Sequence, residues 1–190
     1  MENAALCIGA PFSLIVEGRE INRRNMQREF PTAPLVGVGA VIVNQGRVLL
    51  VKRGTEPSKG IWSIPGGLIE LGELLSDAVT REVQEETGML VEPIELIELI
   101  DRVHRERDRV RYHYVIADYL CRLVGGTLLA ASDAAGVRWI ERDQWLSSAV
   151  PQGAQDTSSD VVQLDPLTAR IIEAGWQRAI SIEAKGMEGQ

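Results

Sequence analysis

Cysteine and histidine are nearly missing from this chain, with two of each among 190 residues. Cys7 and Cys121, so far apart, make no disulfide framework. They read as small buried apolar groups in a reducing, cytoplasmic setting. His104 and His113 have no metal-ligand spacing to another His or Cys, so they read as polar strand residues. Positive charge is in deficit, with 20 Lys and Arg against 27 Asp and Glu for a net charge of −7. That balance argues against a general nucleic-acid or membrane-surface binder. No apolar run approaches the ~18 to 20 residues of a membrane span. The apolar Ala4–Val16 follows Glu2 rather than a basic region, contains Pro11, and lacks a small-residue cleavage site before Glu17. It therefore reads as a strand or interface segment rather than a signal peptide. There is no repeat and no low-complexity tract.

What is present suffices for one sizeable core, at 45% hydrophobic residues. Val36–Val43 is nearly continuous apolar and β-branched, as in a strand buried on both faces. Asn44, Gln45 and Gly46 turn it into Val48–Arg53, a hairpin. Val91–Val103 and Arg109–Leu123 are long strand candidates joined by the charged His104–Asp108. Gly125 and Gly126 are expected to turn the chain into Thr127–Ala130, and Gly136–Glu141 is a last short strand. Gln152–Gln163 is polar and Ser-rich and reads as a surface loop. Asp165 and Pro166 announce a helix over Leu167–Ala184, with Asp as N-cap and Pro in the first turn. This order is compatible with a mixed sheet flanked by a helix on each face.

The chemistry lies between Gly67 and Met89. Ser76 is the expected N-cap of a helix that Gly88 ends. At about 100° per residue, with Glu82 as zero, Glu85 falls at about 300° and Glu86 at about 40°. Leu75, Ala78, Val79 and Val83 occupy the same side, whereas Asp77, Thr80, Gln84 and Thr87 lie opposite. Partly burying ionised carboxylates costs several kcal/mol each unless compensated. A divalent cation such as Mg²⁺ or Mn²⁺, which prefers carboxylate oxygens and bridges them to phosphate, is the compensation this pattern suggests. The plainer alternative is an acidic surface helix with pairs such as Asp77 and Arg81. Trp62, Pro65, Gly66 and Gly67 precede it as a stiff turn and a Gly pair that lets other groups approach. Glu73, in the loop, is placed to fold back toward Arg81 or toward the metal shell.

Gly67, Glu73, Arg81, Glu82, Val83, Glu85, Glu86, Gly88 and Met89 fill every constrained position of a pattern that resembles the signature box of the Nudix hydrolases. Looser similarity runs over about residues 35 to 182. The resemblance implies an α/β/α sandwich with a mixed β-sheet between the box helix and a C-terminal helix. It implies a hydrolase domain over residues 35–185, after an N-terminal extension of residues 1–34 (a candidate strand or homodimer segment) and before a tail of residues 186–190. Function would be Mg²⁺-dependent hydrolysis of a diphosphate linkage in a small nucleotide, with Mn²⁺ able to substitute. Glu82, Glu85 and Glu86 would be the metal ligands, Glu82 being ligand or general base. Glu73 would support them or join them, and Arg81 would orient the glutamates through an ion pair. Arg53, Gly66 and Gly67 are expected at the substrate. Asp133 is the one acid in the loop before the last strand, where relatives often carry a base. Trp62, Tyr112, Tyr114 and Trp139 could stack a nucleobase or fill the core, and Arg105, Arg107, Arg109 and Arg111 could hold phosphates or form a solvated hairpin. Leu49–Gly72 looks most like bacterial ADP-ribose pyrophosphatase-type members, so ADP-ribose or a nucleotide sugar is the expected substrate. An ordinary or oxidised nucleoside triphosphate is the enzymatic alternative, and a non-catalytic nucleotide sensor the alternative of another class.

Overall fold

The structure is a computed structural model that describes residues 27–54, 58–128, 134–146 and 162–188. Ala4–Val16, Cys7, Asp133 and all but the end of Gln152–Gln163 lie outside the described residues. Strands β1 (Leu35–Asn44) and β2 (Arg47–Arg53) form the expected hairpin, with Val43 opposite Val48. Two short strands, β3 (Trp62–Ser63) and β4 (Gly66–Leu68), precede helix α1 (Leu75–Thr87). The long strands β5 (Met89–Glu106) and β6 (Arg109–Gly126) follow, then β7 (Ala134–Glu141), the short helix α2 (Arg142–Leu146) and helix α3 (Pro166–Glu188).

The sheet runs β3-β2-β1-β6-β5, with β4 added to β1 and β7 to β2. Pairing of β1 with β6 is parallel, from Leu35 opposite Tyr114 to Ile42 opposite Cys121, while its neighbours are antiparallel. Side-chain alternation along β1 then separates two cores. Val38, Ala40 and Ile42 pack with Ala78, Val79 and Val83 of α1. Val41 packs with Leu120, Ile100 and Ile171 on the α3 side. The mixed-sheet sandwich is thus the one expected.

Several local expectations change. The N-cap of α1 is Leu74, without a side-chain cap, because the Leu74 carbonyl already accepts from Asp77 and Ala78 N–H at 3.1 and 2.9 Å. Ser76 is therefore inside the helix and exposed. Gly88 does end it, left-handed at φ 73°, donating to the Gln84 carbonyl at 2.9 Å. Thr87, expected toward solvent, is buried, its hydroxyl donating to the Val83 carbonyl at 2.6 Å and accepting from Met89 N–H at 3.1 Å. Gly125 and Gly126 do not turn, since β6 continues through them opposite Leu90 and Met89. Gln163, the described end of the expected surface loop, is buried, and its carbonyl accepts from Trp62 N–H. Asp165 does cap α3, accepting from Leu167 and Thr168 N–H at 3.1 Å each. Arg102 of β5 bonds both carboxylate oxygens of that cap at 3.0 Å and Thr168 Oγ1 at 2.9 Å, tying α3 to the sheet.

Candidate active site

The site begins with a strand whose first two positions, Gly66 and Gly67, have no room for a side chain. Strand β4 lies antiparallel on β1, with Gly39 opposite Gly66 and Val38 opposite Gly67. A Cβ on Gly66 would stand 2.1 Å from the Val38 carbonyl oxygen, and one on Gly67 would stand 2.5 Å from the Glu82 carboxylate. The Gly pair therefore lets the backbone press against both β1 and the acidic face of α1. Gly66 N–H uses that proximity to donate to Glu86 Oε2 at 2.9 Å.

Arg81 organises the acids. Its Nε and Nη2 donate to Glu73 Oε1 and Oε2 at 2.6 and 2.7 Å, a bidentate fork. Nη1 donates to Glu82 Oε1 at 2.6 Å, Nη2 also reaches the Leu68 carbonyl at 3.2 Å, and Glu85 Oε2 stands 3.5 Å from Nη1. Glu73 folds back from the loop as expected, and its Oε2 also accepts from Glu70 N–H at 2.8 Å. The hydrogen bond to Glu73, ahead of those from Glu82 and against burial, holds the guanidinium above its usual range. Burial of Glu82 is thus compensated within the chain by Arg81, rather than by an external cation alone.

The three box glutamates share one side of the helix but differ in exposure. Glu82 is buried, Glu86 half-buried, and the Glu85 side chain 44% exposed. Glu85 is the one that departs from the shared burial expected of the arc. Among the described residues no three Asp, Glu, His or Cys side chains converge as a ready metal cage. The donors nevertheless fit a hard divalent cation. They are carboxylate oxygens about one helical turn apart, and Gly67, lacking a Cβ that would collide with the Glu82 carboxylate, leaves that carboxylate where it stands. Glu82, Glu85 and Glu86 could hold such an ion.

Arg53, at the end of β2, is half-buried, and its N–H donates to the Ile61 carbonyl at 3.0 Å. Burial lowers its pKa, opposed first by the charge of Glu86 and then by Tyr114. The charges of Arg53 and Glu86 thus act on each other. Of the aromatic candidates, Trp62 is a core residue, buried with Trp145 and Trp176 and faced by the Arg138 guanidinium at 5.3 Å. Trp139 packs against the α1 core, and Tyr112 is buried, whereas Tyr114 is half-buried. Two of the four hairpin arginines have local partners: Arg109 lies over the Phe30 ring at 4.3 Å and Arg111 donates to Glu29 at 3.0 Å. His113 stands 3.8 Å from Asp101, and His104 packs edge-on against Tyr112. Sequence reasoning passed over Arg102, whose charge also acts on Arg53. Period-two alternation with Ile100 and His104 was the signal that placed it on the α3 face.

Residues 33–161 match the family model of the NUDIX domain, more than half of the chain. The chain belongs to the Nudix hydrolase family. This Nudix hydrolase is 31% identical over 141 residues to an ADP-ribose pyrophosphatase of Methanocaldococcus jannaschii, covering 70% of this chain and 82% of the relative. It is 32% identical over 120 residues to a MutT-like protein of Streptomyces ambofaciens, covering 62% and 71%. A MutT Nudix hydrolase structure from Burkholderia pseudomallei superposes with a TM-score of 0.58 at 29% identity, over 75% of this chain and 98% of that one. Among the described residues no helix is long and apolar enough to cross a membrane.

Proposed function

We propose that this Nudix hydrolase splits the diphosphate of a nucleoside diphosphate linked to a second moiety, ADP-ribose first, in a Mg²⁺-dependent reaction in which Mn²⁺ substitutes. The observation that carries the reaction class is the Arg81 fork, which joins Glu73, Glu82 and Glu85 to one guanidinium beside the Gly66 N–H contact to Glu86. The similarity to the M. jannaschii ADP-ribose pyrophosphatase supports the substrate. Glu82, Glu85 and Glu86 would hold the cation, which when bound neutralises phosphoryl charge and lowers the pKa of a water.

The chain's own residues supply the rest. Arg81 fixes Glu82 through Oε1, so the carboxylate is held in place to bind the cation or take the water's proton. Glu73 keeps Arg81 from turning away, so it acts by positioning. Gly66 and Gly67 let the diphosphate lie against backbone, and Arg53 meets the phosphate charge beside Glu86. Asp133 offers a further base only if the box does not serve. A nucleoside triphosphate, ordinary or oxidised, is the second substrate class. A panel of ADP-ribose, nucleotide sugars and nucleoside triphosphates with Mg²⁺ should show nucleoside monophosphate release fastest from ADP-ribose. Fastest release from a triphosphate would move the assignment to that class, and no turnover on any member would refute hydrolysis.

A further inference from the structure

Arg53 links the box to a second group of side chains. Glu86, Tyr114, Arg102 and Arg28 all act on its charge. Tyr114 in turn feels both Arg53 and Arg28. Strand register builds this group: Tyr114 of β6 stands opposite Arg102 of β5 and Leu35 of β1, and Tyr112, two residues earlier on the same face, stands opposite His104. Tyr112 is buried, and its hydroxyl donates to Glu29. Its ring lies 6.3 Å from that of Tyr114 at 15°. Tyr114 is thus a half-buried ring steadied by a fixed one, flanked by arginine charge in a chain whose net charge is −7.

A flat, partly exposed ring beside concentrated positive charge suits a ligand that is both flat and anionic. The asymmetry among the four aromatic candidates selects this position, because Trp62 and Tyr112 are buried and the half-buried Trp139 packs against the α1 core. Arg102 is paired with Asp165, and the charges of Arg28 and Arg53 both act on Tyr114.

We propose that Tyr114 is the specificity-determining residue against which the nucleobase of the substrate stacks, with Arg53 meeting the phosphate between it and Glu86. This rests on the diphosphate-hydrolase reading above. Stacking is sequence-tolerant because every base presents a π-face, so Tyr114 sets a requirement for a base and does not by itself choose among bases.

Calorimetry on the purified full chain with AMP, GMP, UMP, CMP and ribose 5-phosphate separates base from phosphate without needing turnover. Wild type should bind at least one nucleoside monophosphate more tightly than ribose 5-phosphate. Tyr114→Leu, which keeps an apolar side chain against Tyr112, should weaken that nucleotide about tenfold, the equivalent of about 1.4 kcal/mol of stacking. It should leave ribose 5-phosphate binding within about twofold, and Tyr114→Phe should bind like wild type. Arg53→Gln should weaken both ligands. Unchanged nucleotide binding in Tyr114→Leu, an equal loss for ribose 5-phosphate, or a loss in Tyr114→Phe as large as in Tyr114→Leu overturns the proposal. So does a wild type that binds no nucleotide better than ribose 5-phosphate. Tyr114-dependent binding without turnover on the diphosphate panel would keep the subsite and refute the hydrolase reading instead.

Discussion

Replacing Asp118 by Asn should stabilise the protein progressively, relative to wild type, as pH rises from about 5 to about 8. Asp118 sits in β6 with 2% of its surface exposed, and its Oδ2 has no hydrogen-bond partner. Oδ1 stands where a Cβ on the facing Gly39 would come within 2.2 Å, so the carboxyl occupies space that glycine leaves. Burial pushes its pKa from the ordinary 3.8 up to about 7, with Glu98 and Asp165 pushing the same way and Arg102 and Arg170 opposing. The folded state therefore holds this proton more tightly than the unfolded chain. Stability falls as pH rises from about 4 to about 7, by about 4 kcal/mol at most, and then levels off. Urea titrations of wild type and Asp118→Asn from pH 5 to 8 isolate the group, because the other carboxylates are common to both. An amide adds buried donors, which offsets the two curves by a constant, so the changing gap is the diagnostic. The variant should gain on wild type by about 2 to 3 kcal/mol across that range. A gap that stays constant, or that closes with rising pH, would refute the reasoning.

Other substitutions probe the box. Glu86→Gln, which keeps an acceptor for Gly66 N–H but removes the charge, should slow turnover by about two to three orders of magnitude with little change in melting temperature. Steady-state rates and a thermal melt check both. Gly67→Ala should collide with the Glu82 carboxylate and cost at least about tenfold in kcat/KM, and wild-type kinetics would show that Glu82 yields freely. Arg81→Lys cannot keep the two-pronged contact to Glu73 together with Glu82. It should lose about tenfold or more in rate, and an unchanged rate would remove Arg81 from the positioning role.

The parts of this structure visible in the sequence are those set by local rules. Box helix α1 follows from the period of Ala78, Val79 and Val83 and from Gly88 at its end, and the α3 start from Asp165 and Pro166. Strands β3 and β4 did not show, because two or three residues around a Pro and a Gly pair carry no period. The N-cap was misplaced at Ser76 because a serine favours caps in general, whereas here the Leu74 carbonyl opens the helix unaided. Thr87 looked solvent-facing on the wheel, but the last turn lets its hydroxyl bond both sides of the helix end. At the site, the position of Glu73 in the loop left it between Arg81 and the metal shell, and the structure pairs it with Arg81. The contact of Gly66 N–H with Glu86 was not, since it depends on how β4 is pressed onto β1. Arg102 with Asp165, 63 residues apart, lies beyond any local rule.

The central claim is that the box makes a metal-dependent diphosphate hydrolase, and the initial rate of AMP formation from ADP-ribose by the full chain tests it most directly. With Mg²⁺ the rate should be well above background, should vanish in EDTA, and should return when Mg²⁺ or Mn²⁺ is restored in excess. A rate that EDTA leaves unchanged would contradict the account.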